Sequence, residues 1–243
     1  MTMQGLELAR RYYQECATPL IEARFGSRAK RIAVGLVGPG SECLGFDDML
    51  SVDHDFGPGF CLWLTDDDDA AFGAQLRELY RALPQEFAGY RRNTTPEGAD
   101  RVGVMRIRQF YTAYTGGGDV PADEPAWLRI PEHFLATATS GAVFRDDLGE
   151  FSRIRAGLLP CYPEDVRMKK LAARLFTMAQ AGQYNYPRME KRGDLAACCL
   201  ALGEFLNAAL SALHLLNSRY TPYRSRWHGE RRRQFRRHQE ADF

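Results

Sequence analysis

The stretch GPGSECLGFDDMLSVDHDFGPG, Gly38 to Gly59, holds five acidic residues (Glu42, Asp47, Asp48, Asp53 and Asp55) in a segment rich in glycine. Its order says more than its charge. Gly38-Pro39-Gly40-Ser41 reads as a turn whose glycines let the backbone come close to a ligand. Asp53 and Asp55 follow, just ahead of the apolar run Phe60–Leu64. If the chain is extended there, side chains at i and i+2 share a face, with Cα atoms roughly 6.5–7 Å apart. That spacing lets two carboxylates hold one or two hard cations, and His54 then points to the opposite face. Magnesium takes oxygen ligands, commonly one or two carboxylates together with phosphates of a substrate. The turn offers the complementary half, N–H groups and a hydroxyl for phosphate oxygens. The ligand order of an EF-hand calcium loop is absent.

Working outward, Leu6–Phe25 has the three-and-four spacing of an amphipathic helix that Gly26 ends. Ile32–Val37 is a short apolar run, suited to a strand or to the entry from a helix into the turn. Phe60–Leu64 is read as a buried strand. The run TDDDD then caps a helix over 68–83, its oxygens accepting from free N–H groups. Arg101–Tyr111, with Val102 and Val104 alternating, is read as a further strand, and Gly141–Phe144 as another, with a short helix over 131–139 between them.

After Pro160 the pattern turns helical. YPEDVRMKKLAARLFTMAQAG, 162–182, reads as a helix with proline and acids in its first turn, an apolar face through Val166, Leu171, Leu175 and Met178, and a glycine stop, and 194–217 is a long apolar helix. That last segment is long enough to cross a bilayer, yet Glu204, Asn207, Ser211 and His214 recur along it. It is therefore expected as the buried helix of a bundle, with no membrane association. The fold class expected is α+β, a small mixed β-sheet flanked by helices and followed by a C-terminal helical bundle. The division is expected at 1–155 and 156–243.

Composition narrows the function classes. A chain of 243 residues with net charge +1 carries no global field toward nucleic acid or an anionic membrane. Its six cysteines lack zinc-ligand spacing and are expected to be reduced. The polar N-terminus lacks the apolar core of a signal peptide, so a cytoplasmic location is expected. The arginine-rich end RSRWHGERRRQFRRHQEADF could meet nucleic acid through phosphates, with Trp227 and Phe235 stacking on bases. A solvated end is the simpler reading of such a run.

Gly40-Ser41, a spacer and Asp53-x-Asp55 together resemble the signature of the DNA polymerase beta-like nucleotidyltransferase superfamily. The fuller string, with GAVFRDDLGEFSRIR, YPEDVRMKKLAARL, AQAGQYNYPRMEKRGD and LNSRYTPY, resembles more closely a bacterial family of that superfamily defined as a domain of unknown function. The resemblance implies that residues 1–155 form a nucleotidyltransferase-like domain. It implies that Gly40 and Ser41 hold the triphosphate and that Asp53 and Asp55 bind Mg2+ and carry catalysis. The reaction implied moves a nucleoside monophosphate from a nucleoside triphosphate such as ATP to a small-molecule or protein acceptor.

Superfamily enzymes usually place a third carboxylate on a later strand, and Arg101–Tyr111 holds no acid. Asp100 and Asp146 are the two candidates. The lack of an acid in that run motivates the alternative, a catalytically inactive nucleotide-binding or interaction module of the same fold. Tyr184, Asn185 and Arg188, in the sequence QYNYPRMEKR read as a loop between bundle helices, combine stacking faces, an amide and a guanidinium for a nucleotide or acceptor. Glu42, Asp47 and Asp48 are expected to shape the loop or to steady the metal ligands.

Overall fold

The computed structural model describes residues 3–47, 56–92 and 101–223. Asp48, Asp53, His54, Asp55, Asp100 and the arginine-rich end lie outside the described residues. The chain divides into two units, Met1–Val120 with Thr137–Gly157, and Pro121–Ala136 with Leu158–Phe243. A single cut at 155 cannot describe this, because Pro121–Ala136 belongs with the later helices.

The first unit is built on a four-stranded mixed sheet. Its strands are β1 (Ala33–Leu36), β2 (Cys61–Leu64), β5 (Gly103–Arg106) and β6 (Ala142–Arg145), in the order β5-β2-β1-β6. β1 runs antiparallel to β2 and β6, whereas β2 and β5 are parallel. A separate hairpin pairs β3 (Glu86–Phe87) with β4 (Tyr90–Arg91).

Side chains alternate across the sheet, and each face finds its own cover. Val34, Leu62 and Leu64 pack into a cluster with Tyr12, Ile21, Phe25, Phe72 and Leu76 from the helical segments 5–25 and 66–82. On the other face Trp63 stacks on Phe151 with ring centroids 3.9 Å apart and meets Phe110 edge-on. A side chain at Gly35 would put its Cβ 2.5 Å from the Ala142 carbonyl oxygen, so glycine lets β6 lie close on β1.

The N-terminal helix is continuous through Phe25, but Tyr13–Ala17 is a π-helical turn between Gly5–Tyr12 and Thr18–Phe25. Pro19 follows it and has no N–H to give to the preceding turn, while the Thr18 hydroxyl bonds the Tyr13 carbonyl. Thr65 caps the helical run that starts at Asp66 by accepting from the Asp68 N–H. Asp68 does more than cap: it is buried and pairs with Arg31 at 2.6 Å. The strand expected over Arg101–Tyr111 ends at Arg106. Ile107–Thr115 is a helix, which sets Ile107, Phe110 and Tyr111 on its buried side.

The second unit is helical. Glu124–Arg129, Glu164–Met178, the π-helical Ala179–Asn185, Tyr186–Glu190 and Leu195–Leu216 are its main elements. Trp127, Tyr162 and Tyr220 meet edge-on in its core, and the Tyr220 hydroxyl bonds the carbonyls of Leu158 and Cys161. QYNYPRMEKR is helical as far as Glu190 and not a loop: the π-helical Ala179–Asn185 runs on into Tyr186–Glu190, and Pro187, which has no N–H to give, follows that π-helical turn as Pro19 follows the one in the first helix. Leu195–Leu216 is not the buried helix expected. Cys198, Ala201, Ala208, Ala212 and Leu215 face inward, while much of its leucine surface is exposed.

Candidate phosphate-binding turn and its surroundings

The strand directions bring four chain segments to one end of the sheet. β1 leaves the sheet at Leu36, where its partner in β6 is Ala142, and Gly35 is opposite Cys61, the first residue of β2. β5 starts in step with β2, Gly103 beside Cys61. The turn after β1, the chain entering β2, the residues before β5 and Ser140-Gly141 before β6 therefore share this end.

The turn itself is held on several sides. Gly38 and Gly40 have φ of 130° and 132°, a backbone that side chains rarely adopt. The Ser140 hydroxyl donates to the Gly38 carbonyl at 2.8 Å, and the Gly141 N–H donates to the Cys43 carbonyl at 2.7 Å. Ser41 opens a one-turn helix, Ser41–Leu44, and its carbonyl accepts from the Phe46 N–H at 2.8 Å. Cys61 is fully buried beneath, its Sγ 3.4 Å from the Arg101 carbonyl, and burial pushes its thiol up to about 12. This cysteine is packing and not a nucleophile.

The acids of this region have separate positions. Glu42 is buried and ion-paired with Arg101. The Asp47 carboxylate accepts from the Gly5 N–H at the start of the first helix. Both act on the loop, which is the shaping role expected of them. Asp53 and Asp55 lie outside the described residues, and the chain resumes at Phe56. Phe56 is buried and meets Tyr90 edge-on. A Cβ added at Gly5 would contact both Glu42 and Phe56, so these two side chains lie side by side. Beyond Phe56, Arg92 donates to the Pro58 carbonyl at 2.7 Å, and Tyr80 Oη donates to the Phe60 carbonyl at 2.9 Å.

Asp146 is not positioned to join them. It follows β6 at the opposite end of the sheet, since Arg145 pairs with Val34. Both of its carboxylate oxygens are used, one on the Gly149 N–H (3.0 Å) and one on the Ser152 N–H (2.7 Å), at the start of the Glu150–Leu158 helix. Asp100, the other candidate, lies outside the described residues. β5 carries no acid, and Arg106 at its end is paired with Asp66 at 3.5 Å. Among the described residues, no group of three or more His, Cys, Asp or Glu side chains could hold a metal ion.

In the second unit, Tyr184 and Arg188 are exposed and engage each other one helical turn apart. The guanidinium lies over the tyrosine ring, 4.6 Å from its centroid, and also meets its hydroxyl. Asn185 is half-buried at the end of the π-helical segment.

A polar cavity of about 630 Å³ elsewhere in this unit went unnoticed in the sequence. It is lined in part by Glu132, His133, Arg174, Glu204, Asn207 and Tyr223. The buried Glu132 carboxylate accepts from Arg174 (2.8 Å), Ser211 (2.8 Å) and Thr221 (2.6 Å). The only local signal was a glutamate after Pro131 in a helix start, which reads equally as an ordinary first-turn acid.

The family model of a domain of unknown function (DUF4037) matches residues 127–228, less than half of the chain. It takes in the Glu132 cavity and the Leu195–Leu216 helix and leaves Gly38–Gly59 outside. No curated protein and no solved structure matches the chain.

Proposed function

We propose that the protein is a magnesium-dependent nucleotidyltransferase of the polymerase beta-like kind, acting in the cytoplasm on a small-molecule or protein acceptor. One observation carries the reading. The Gly38–Ser41 turn, the residue next to Asp55 and the residues ahead of β5 converge at one end of a mixed sheet, with the turn held open by two glycines of positive φ.

In this reading Gly40 and Ser41 receive the triphosphate, and Asp53 and Asp55 hold Mg2+. The described carboxylates at this end, Glu42 and Asp47, are engaged by Arg101 and the Gly5 N–H, and the reading gives the metal to those two aspartates. Magnesium would neutralise charge developing on the transferred phosphoryl group. The cytoplasmic setting agrees with six cysteines of which none forms a disulfide.

The acid-free β5 and the remote Asp146, whose two oxygens each accept an N–H at a helix start, favour a second reading, in which the same site binds nucleotide without turnover.

Calorimetric titration of nucleoside triphosphates with and without magnesium tests the site, comparing the wild type with Asp53→Ala/Asp55→Ala. Magnesium-dependent binding lost in the double variant is the expected result. Equal, metal-independent behaviour of both proteins would remove the site. Pyrophosphate release across an acceptor panel then separates the enzyme from the non-catalytic module.

A further inference from the structure

Starting at Leu195, alternating steps of four and three along the last helix land on Cys199, Leu202, Leu206, Ala209, Leu213 and Leu216. Every position is apolar. This is the 3.5-residue repeat that lets two helices interlock side chains along a shared seam. The seam is not spent within the second unit, whose core takes the opposite side of the helix through Ala201, Ala208, Ala212 and Leu215. Its five leucines are 45% to 77% exposed. Leu202 also borders a groove of about 460 Å³ lined by Leu175, Met178, Gly182, Tyr186 and Phe205.

We infer that this face is the interface of a homodimer in which two copies pair their Leu195–Leu216 helices antiparallel. The repeat argues for a helix as partner, and its symmetry argues for the same helix. Read in reverse, the pattern maps onto itself about Leu206: Leu195 faces Leu216, Cys199 faces Leu213, Leu202 faces Ala209 and Leu206 faces its own copy. A parallel pairing would instead set Ala209 on Ala209 and leave a gap.

The exposed area is that of a small interface. With the five leucines of each copy 45% to 77% exposed, their mutual burial covers on the order of 1,000 Å², the threshold that a specific interface has to clear. A lipid surface fits less well. An interfacial helix carries Lys or Arg along the rims of its apolar stripe, and this helix has neither. A span is opposed by Ser211 and His214, which are buried against the protein.

Sedimentation equilibrium of the full chain tests the inference, with Leu206→Glu as the variant. A dimer is expected for the wild type. For Leu206→Glu, which places two like charges face to face in an apolar seam, the dissociation constant should rise at least about a hundredfold. An unchanged circular dichroism spectrum would show that the exposed position was altered without unfolding the monomer.

Orientation is read separately by a short bismaleimide in a Cys199→Ser background. Leu206→Cys should cross-link between copies, while Leu195→Cys should not. A monomeric wild type at tens of micromolar would overturn the inference, as would a Leu195→Cys cross-link as efficient as that of Leu206→Cys. Monomeric protein that co-sediments with anionic phospholipid vesicles would overturn it in favour of a membrane surface.

Discussion

Glu42 and Arg101 form an ion pair largely out of water, their side chains 8% and 15% exposed, and the pair joins the turn after β1 to the segment entering β5. Removing one partner from such a pair leaves a buried charge unmatched, which costs about 3–5 kcal/mol. Glu42→Ala should lower the unfolding free energy by that order in urea titrations. Replacing both residues by methionine should recover most of the loss. Without the pair the turn loses a support, so the single variant should also bind triphosphate more weakly.

Gly40 combines positive φ with crowding. A Cβ there would lie 2.6 Å from Glu42 Oε2 and 2.7 Å from Arg101 Nη2. Gly40→Ala therefore meets backbone strain of about 1–3 kcal/mol and disturbs the same ion pair. Gly116 also has positive φ, at 77°, but has nothing within 4 Å. In calorimetry Gly40→Ala should lose triphosphate binding, whereas Gly116→Ala should keep it while showing a comparable conformational cost.

Asp146 caps a helix at the far end of the sheet. Asp146→Ala should destabilise the protein by about 1 kcal/mol, the usual magnitude for a lost cap. Its magnesium-dependent nucleotide binding should match the wild type. A loss of metal dependence at normal stability would return Asp146 to the list of metal ligands.

Glu132 makes stability depend on acid. Burial by itself would raise its pKa, but the bonds from Thr221, Arg174 and Ser211 outweigh burial and hold the carboxyl below its ordinary value. The unfolded state then binds the proton more readily, so this stabilisation is full above the ordinary glutamate value of about 4.3. It is lost as pH falls through the lower folded value. Urea unfolding followed from pH 6 to pH 3 should show this slope, and Glu132→Gln should flatten it.

The elements were legible where local patterns had one reading. Phe60–Leu64 is apolar throughout, so it is a strand buried on both faces, and Thr65 with its aspartates marked a helix start. Val102, Val104 and Ile107 fit either period, and pairing with β2 decides where strand gives way to helix: it ends at Arg106, after which Phe110 and Tyr111 reach Trp63 and Phe151 at helical spacing. Gly182, Asn185 and Pro187 suggested a loop. The segment is nonetheless helical, and at Gly182 it lies against Phe205, where a Cβ would be only 2.8 Å away. Tyr184 and Arg188, expected as binding groups from their chemistry, also engage each other across one helical turn, which their spacing alone did not show.

By itself the sequence determined the buried strand at Phe60–Leu64, the helix start at Thr65 and the glycine turn after an apolar run, because these follow from backbone conformation and short-range hydrophobic pattern. Only the tertiary structure decided which end of the sheet each acid reaches. Strand direction is set by hydrogen bonding between segments distant in sequence, and it sends Asp146 to one end while Glu42 and Arg101 meet at the other. The same holds for the last helix. Its composition reads as interior, but small residues on one side satisfy the unit's own packing and leave the leucine seam outward.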